Sequence, residues 1–283
     1  MRPTFLSLFL VSFVALGHSQ WLDYQTLNST VLVEKWQDTA YVPFGTGFVL
    51  WNYGDKRYPI VMTAGHLLNR AEIFISANAD SVFVNRMRHQ NRDTIQFDSQ
   101  KWVLVGNRLR TKIRLVSSSR KTFLLDQAND IGCFLIDLPT WSIDDRDTVR
   151  VAKFLTIGMS TIRKRDYLSH GDECYFIGFP FGLGADVSLD PIVRSGSVAW
   201  LSRDSKRFFL DAFSFGGNSG SPVFTKILLG RQPGILTWDR SFLVGMITGH
   251  LGEESQNWGL AIGTWSDAIL ELAKKASEIT ISD

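Results

Sequence analysis

About a dozen short runs rich in Val, Ile, Phe, Tyr and Trp, many bounded by Gly, Asn, Asp or Pro, constrain this chain more than any other feature. They fall at residues 31–33, 46–51, 60–63, 73–76, 102–105 and 131–136, then at 173–178, 193–201, 207–211, 222–224, 242–248 and 258–262. No long helical periodicity separates them, which argues for antiparallel barrels or sandwiches and against an alternating α/β plan. One later stretch reads as a helix. Thr264 is placed to cap it, Asp267 suits its amino end, and Trp265, Ile269, Leu272 and Ala273 share a face. Lys274 and Lys275 suit the carboxyl end of its dipole. With 283 residues, the chain accommodates two compact cores or one large one.

A formal net charge of +2 gives no electrostatic case for nucleic acid or for an anionic membrane surface. The segment from Asn107 to Lys121 carries six basic residues among Leu, Ile and Val, and reads as a solvated strand pair or loop rather than a nucleic-acid patch. Residues 1–19 read as a secretory signal peptide: Arg2 is followed by an apolar run from Phe5 to Leu16 and then by small residues. Twelve helical residues span about 18 Å, too short for a hydrocarbon core of about 30 Å. The expected product is exported, periplasmic or extracellular, without stable membrane association. Cys133 and Cys174, the two cysteines, sit inside apolar strand-like runs and read as buried free thiols more readily than as a disulfide. Asn28-Ser-Thr30 is a formal glycosylation sequon.

Three local contexts carry chemistry. In Gly217-Asn-Ser219-Gly-Ser-Pro222, a serine lies among residues that permit a sharp turn. A nucleophilic serine needs an exposed hydroxyl beside backbone amides aimed at the developing oxyanion, and Gly217 and Ser219 are the candidate amide donors. In Val61-Met-Thr-Ala-Gly-His66 an apolar strand ends in small residues and then presents a histidine, suited by its near-neutral pKa to a general base. In Asn129-Asp130-Ile-Gly-Cys-Phe-Leu-Ile-Asp137 a carboxylate stands at the mouth of an apolar strand, where it can orient an imidazole. Asp137, Glu72 and Asp126 are weaker contenders for that role. Each context alone has an ordinary reading as a turn or a structural histidine. The order His, Asp, Ser excludes the α/β-hydrolase arrangement, and Ser221 stands where a nucleophile elbow requires glycine.

Together these segments resemble the chymotrypsin-clan, trypsin-like serine peptidases, in particular their bacterial HtrA-type and glutamyl endopeptidase branches. Thr63-Ala-Gly-His66, Asp130-Ile-Gly-Cys133 and Gly217-Asn-Ser-Gly-Ser-Pro222 are similar to that family's triad motifs. Gly178-Phe-Pro-Phe-Gly-Leu-Gly184 resembles a segment of HtrA-type proteins, with Phe179 in place of Asn. The resemblance covers roughly Val42 to Ala268. It implies an all-β fold of two six-stranded antiparallel barrels with a site in the cleft between them, followed by a C-terminal helix. Residues 20–150 would carry His66 and Asp130, and residues 151–283 would carry Ser219, the oxyanion hole and the substrate pocket. Asn218 stands where trypsin has an aspartate that pairs with a new N-terminus, so activation in that style is not expected.

By the same resemblance, Phe213 lies at the base of the substrate pocket and Thr248, Gly249 and His250 along its wall. Phe213 is not acidic, so strict preference for Lys or Arg is not expected, and Ile247 stands where glutamyl endopeptidases carry a substrate-reading histidine. The expected activity is hydrolysis of polypeptide substrates through an acyl-enzyme, with His66, Asp130 and Ser219 as triad and with no metal or other cofactor. The rivals are a catalytically silent binding protein on the same fold and an esterase.

Overall fold

The computed structural model of the protein describes residues 24–51, 58–97, 100–115, 123–136, 140–144, 147–150, 156–226, 241–253 and 256–278. The expected signal peptide and Asp137 lie outside the described residues. A short helix, α1 (Tyr24–Asn28), leads into strands β1 (Thr30–Gln37), β2 (Ala40–Leu50), β3 (Ile60–Ala64) and β4 (Glu72–Asn78). After helix α2 (Ser81–His89) come β5 (Thr94–Phe97), β6 (Gln100–Val105), β7 (Arg108–Arg114), β8 (Phe123–Asp126) and β9 (Ile131–Leu135). These nine strands form one antiparallel sheet in the order β5-β6-β7-β4-β1-β2-β3-β9-β8. The pair β5–β6 extends it as the added hairpin for which the long interval between His66 and Asp130 leaves room.

A separate two-stranded ribbon pairs β10 (Thr140–Asp144) with β11 (Asp147–Arg150). The second half holds β12 (Glu173–Gly178), β13 (Ile192–Leu201), β14 (Arg207–Asp211), β15 (Pro222–Lys226), β16 (Ser241–Glu253) and β17 (Gln256–Trp265). These six close into an antiparallel barrel in the order β12-β13-β14-β17-β16-β15. Helix α3 (Ser266–Ser277) follows.

Strand alternation decides which core each residue joins. In β12, Cys174 and Phe176 point into the barrel with Phe208, Leu210 and Trp265, while Ile177 faces the seam between the two sheets. In β3, Ile60 and Met62 face the same seam and Val61 enters the core of the first sheet with Trp102, Ile73 and Phe134. The seam also receives Phe48, Ile131, Cys133, Leu243 and Met246, and α3 closes it with Ala268, Ile269, Leu272, Ala273 and Ala276. Cys133 and Cys174 are free and buried.

Two helical details differ from expectation. Thr264 does not cap α3: it lies within β17, paired with Arg207 and Met246, and its Oγ1 donates to Asn129 O at 2.7 Å. The helix starts two residues later, after an extended Trp265. Helix α2 lies between the expected strands 73–76 and 102–105, where no element was expected. It is capped by Asp80, whose Oδ1 accepts from Val82 N at 2.8 Å and Phe83 N at 3.4 Å. Its nine residues bury only Phe83, Val84 and Met87, too short a pattern to register as periodic.

Of the basic segment at 107–121, residues 116–121 lie outside the described residues. The described part is mostly strand, and Arg110 is an internal group: its guanidinium forks onto buried Glu34 at 2.7 and 2.8 Å. Ser76 Oγ donates to the same carboxylate. Burial and hydrogen-bond geometry of this kind suit a structural ion pair.

Candidate active site

The end of β3 presents His66. Thr63 and Ala64 are fully buried, and the chain then turns through a short 3-10 segment, Gly65–Leu68. Facing it, the turn between β8 and β9 places Asp130 in a left-handed conformation, φ 51°, which aspartate tolerates better than most residues. Asp126 shapes that turn, its carboxylate accepting from Asn129 N at 3.2 Å and Asn129 Nδ2 at 2.6 Å. Asp126 is thereby occupied with Asn129, and Glu72 pairs with Lys112 at 2.9 Å.

Asp130 grips His66 at two points. Its Oδ1 accepts from the His66 backbone N–H at 2.8 Å, and its Oδ2 lies 2.8 Å from His66 Nδ1. Gly65 N–H donates to the Asp130 carbonyl at 2.8 Å, locking the two turns together. A carboxylate on Nδ1 selects the tautomer with its proton there, leaving Nε2 as the basic nitrogen. The imidazole is open to solvent on its other side, with 44% of its side-chain surface exposed.

The turn that carries Ser219, the expected nucleophile, is fastened to the first sheet through Thr46, which is fully buried in β2. Thr46 N–H donates to Ser219 O at 2.8 Å, and Thr46 Oγ1 donates to Gly217 O at 2.6 Å and accepts from Phe179 N–H at 3.2 Å. Thr63 Oγ1 donates to Thr46 O at 2.6 Å, so the anchor also touches the strand that delivers His66. Two glycines make this approach feasible. Gly217, φ 96°, would drive a Cβ to 2.2 Å from Phe179 O, and Gly220, φ 90°, would drive one to 1.8 Å from Thr46 O. On the far side, Gly220 N–H donates to Ile247 O at 2.7 Å and Ile247 N–H to Ser221 O at 2.8 Å.

Ser219 is half-buried, and among the described residues its hydroxyl makes no hydrogen bond to His66. Neither Gly217 N–H nor Ser219 N–H donates to a described backbone carbonyl, so both amides are uncommitted. Asn218 and Ser221 are fully buried beneath the turn, and among the described residues their side-chain polar atoms find no partner. The two thiols offer no competing nucleophile. Burial pushes both Cys133 and Cys174 up to about 12, so each is a protonated thiol at neutral pH.

The expected pocket residues are distributed unevenly. Thr248, Gly249 and His250 follow directly after Ile247 on β16, beside the nucleophile turn, and a Cβ added at Gly249 would meet open space. Phe213 is half exposed and its ring edge lies against Gly259. Thr46 was not singled out by the sequence reading. Its signal was the flanking pair in Gly45-Thr-Gly47, small residues that let another chain segment approach. Arg194, stacked on Phe215 with its guanidinium 4.9 Å from the ring centre, was also missed.

A family model described as a trypsin-like peptidase domain matches residues 45–227. The chain is similar to the solved structure of the HtrA-type protease AlgW with a decapeptide, at 15% identity and a TM-score of 0.52, over 89% of this chain and 65% of that one. It is similar to AlgW with a tripeptide at 16% identity and a TM-score of 0.50, over 89% and 61% of the two chains. The chain therefore spans less than two thirds of the length of these structures, and at such identities the likeness concerns the fold. No curated protein matches the chain.

Proposed function

Because the chain belongs to the trypsin-like peptidase domain family, we propose that it is a serine endopeptidase that uses Ser219 as nucleophile, His66 as general base and Asp130 as orienting carboxylate. The observation that carries this reading is the two-point grip of Asp130 on the His66 backbone and ring, opposite a serine turn bonded to the neighbouring strand. On this reading residues 20–150 supply base and orienter, and residues 151–283 supply nucleophile, oxyanion donors and pocket.

The chemistry runs as acyl transfer. Substrate binding brings the Ser219 hydroxyl into line with His66 Nε2, a contact that commonly tightens only in the substrate complex. Ser219 Oγ attacks the peptide carbonyl as its proton passes to Nε2, and Asp130 stabilises the imidazolium. The Gly217 and Ser219 amides receive the oxyanion. Collapse expels the amine, which takes the proton from His66, and water then hydrolyses the ester by the same route in reverse. The substrate is a polypeptide, the pocket formed by Phe213, Thr248, Gly249 and His250 does not favour Lys or Arg, and residues 1–19 direct export.

A fluorophosphonate probe tests the nucleophile. It is expected to label the wild-type protein at Ser219 and to leave Ser219→Ala unlabelled, with peptide hydrolysis lost in the variant and the fold retained. Failure to label wild type would establish the silent binding protein instead. Hydrolysis of esters but not of matched peptides would establish an esterase.

A further inference from the structure

Beside the nucleophile turn runs an exposed ridge of aromatic rings. Phe181 and Phe215 lie 5.1 Å apart between ring centres, and Phe215 and Phe213 are stacked at 6.2 Å with their planes 8° apart. Phe181 is 71% exposed and Phe213 51%. Phe181 holds a left-handed backbone, φ 53°, a conformation that costs a bulky residue energy. Its N–H nevertheless donates to Gly216 O at 2.7 Å, which ties the ridge to the residue preceding the candidate oxyanion donor. Phe215 begins the tight turn closed by Asn218 N–H on Phe215 O at 2.9 Å. The ridge is therefore continuous with the proposed catalytic turn. Solvent-exposed aromatic surface of this kind is costly to leave unoccupied and characteristic of recognition surfaces.

At the centre of the ridge sits Arg194 of β13. Its guanidinium stacks on Phe215, 4.9 Å from the ring centre. Its Nε is buried and has no hydrogen-bond partner, and no ion pair reaches it among the described residues. Arg110 gives the contrast within the same molecule. It too stacks on a ring, that of Tyr41 at 3.8 Å, but its fork is filled by the Glu34 carboxylate. Arg194 has the stacked geometry and the fork without the acid. A planar guanidinium fixed against an aromatic face is pre-organised for bidentate binding of a carboxylate, and low local dielectric strengthens that pairing.

We infer that Arg194 and the Phe181–Phe215–Phe213 ridge form a recognition site for a carboxylate set among apolar side chains on the polypeptide substrate, close to the scissile bond. The inference rests on the serine-peptidase reading above and names the substrate class of that site. The charge reads the acid, and the rings take up the apolar neighbours.

The test measures binding to Ser219→Ala, which needs no turnover, using labelled Phe/Leu-rich peptides in three forms: Glu with an amidated terminus, Gln amidated, and Gln with a free terminal carboxylate. A charge-assisted pairing predicts that one of the two carboxylate forms binds about 10–100-fold more tightly than amidated Gln. Preference for the Glu form assigns a side chain, and preference for the free-acid form assigns a chain terminus. Arg194→Met, which keeps a long apolar stem over Phe215, is expected to erase the difference, and Arg194→Lys to retain part of it. Salt is expected to shrink the difference in the parent, a readout that requires no second fold to survive. Equal binding of all three peptides, a difference unaffected by salt, or one that persists in Arg194→Met overturns the inference. Fluorophosphonate labelling of Ser219 in the parent protein reports separately on the catalytic reading, so a failure of that reading is distinguishable from a failure of this one.

Discussion

Thr46→Val preserves a buried, β-branched shape and deletes one hydroxyl, so it isolates the hydrogen bonds that fasten the nucleophile turn. In the parent, Oγ1 donates to Gly217 O at 2.6 Å and accepts from Phe179 N–H at 3.2 Å, in a residue with no exposed surface. Valine leaves both partners buried and unpaired, at about 1–3 kcal/mol each, for a total loss of about 2–6 kcal/mol. Against a typical net stability of about 5–15 kcal/mol, that is a large fraction. Activity should fall as well. Losing one oxyanion donor outright costs roughly 100–1,000-fold in kcat, and Thr46 only holds the Gly217 carbonyl, in the peptide unit next to the one that carries the candidate donor N–H, so a drop of roughly tenfold is expected. Urea unfolding followed by tryptophan fluorescence gives the first quantity, provided the slope with denaturant is unchanged. Peptide hydrolysis gives the second. Thr46→Ser restores the hydroxyl and forfeits one methyl, worth about 0.8 kcal/mol, and should recover most of both losses. A valine variant within about 0.5 kcal/mol of the parent would show that these bonds do not hold the turn. So would a serine variant as unstable as the valine one.

Two further predictions concern the orienting carboxylate and the buried thiols. Asp130→Asn should keep the fold and lower kcat by roughly 10,000-fold at neutral pH, because an amide no longer selects the tautomer with Nε2 free; a loss below about tenfold would remove Asp130 from the mechanism. Cys133 and Cys174 should resist a disulfide-exchange reagent at pH 8 in the native protein and react rapidly in urea. Burial raises both thiols from 9.0 to about 12 in the folded state, so their contribution to stability is complete below pH 9 and declines as pH rises from 9 towards 12. A Cys133→Ala/Cys174→Ala protein should accordingly show a shallower alkaline loss of stability, and native thiols that react as fast as unfolded ones would contradict the burial argument.

The strands most visible in the chain were those in which turn residues bound a run with at least one buried face. Glu173–Gly178 and Arg207–Asp211 have the ends expected of them, since turn residues and burial agree there. Strands β5, β8, β10 and β11 are short and were not anticipated, and β7 was read only as part of a solvated strand pair or loop, whereas it spends Arg110 on an internal carboxylate that no local pattern reveals. The site divides in the same way. His66, Asp130, Gly217 and Ser219 announce themselves because the proposed catalytic geometry demands particular neighbours within a few residues. Thr46 and Arg194 act on partners 171 and 21 positions away, Gly217 and Phe215, and distance along the chain hides such pairings until the sheets are assembled.

Helix α3 lays Ala268, Ile269, Leu272, Ala273 and Ala276 over a seam built from β2, β3, β9 and β16, strands drawn from both halves of the molecule. Everything it covers emerges from the ribosome before it does. A nascent chain halted ahead of residue 266 would hold His66 and Ser219 on two slabs whose facing surfaces are still greasy and unclamped. If the chain cuts peptides as proposed, competence to cut arrives together with the clasp, and a half-made molecule is a poor threat to its neighbours.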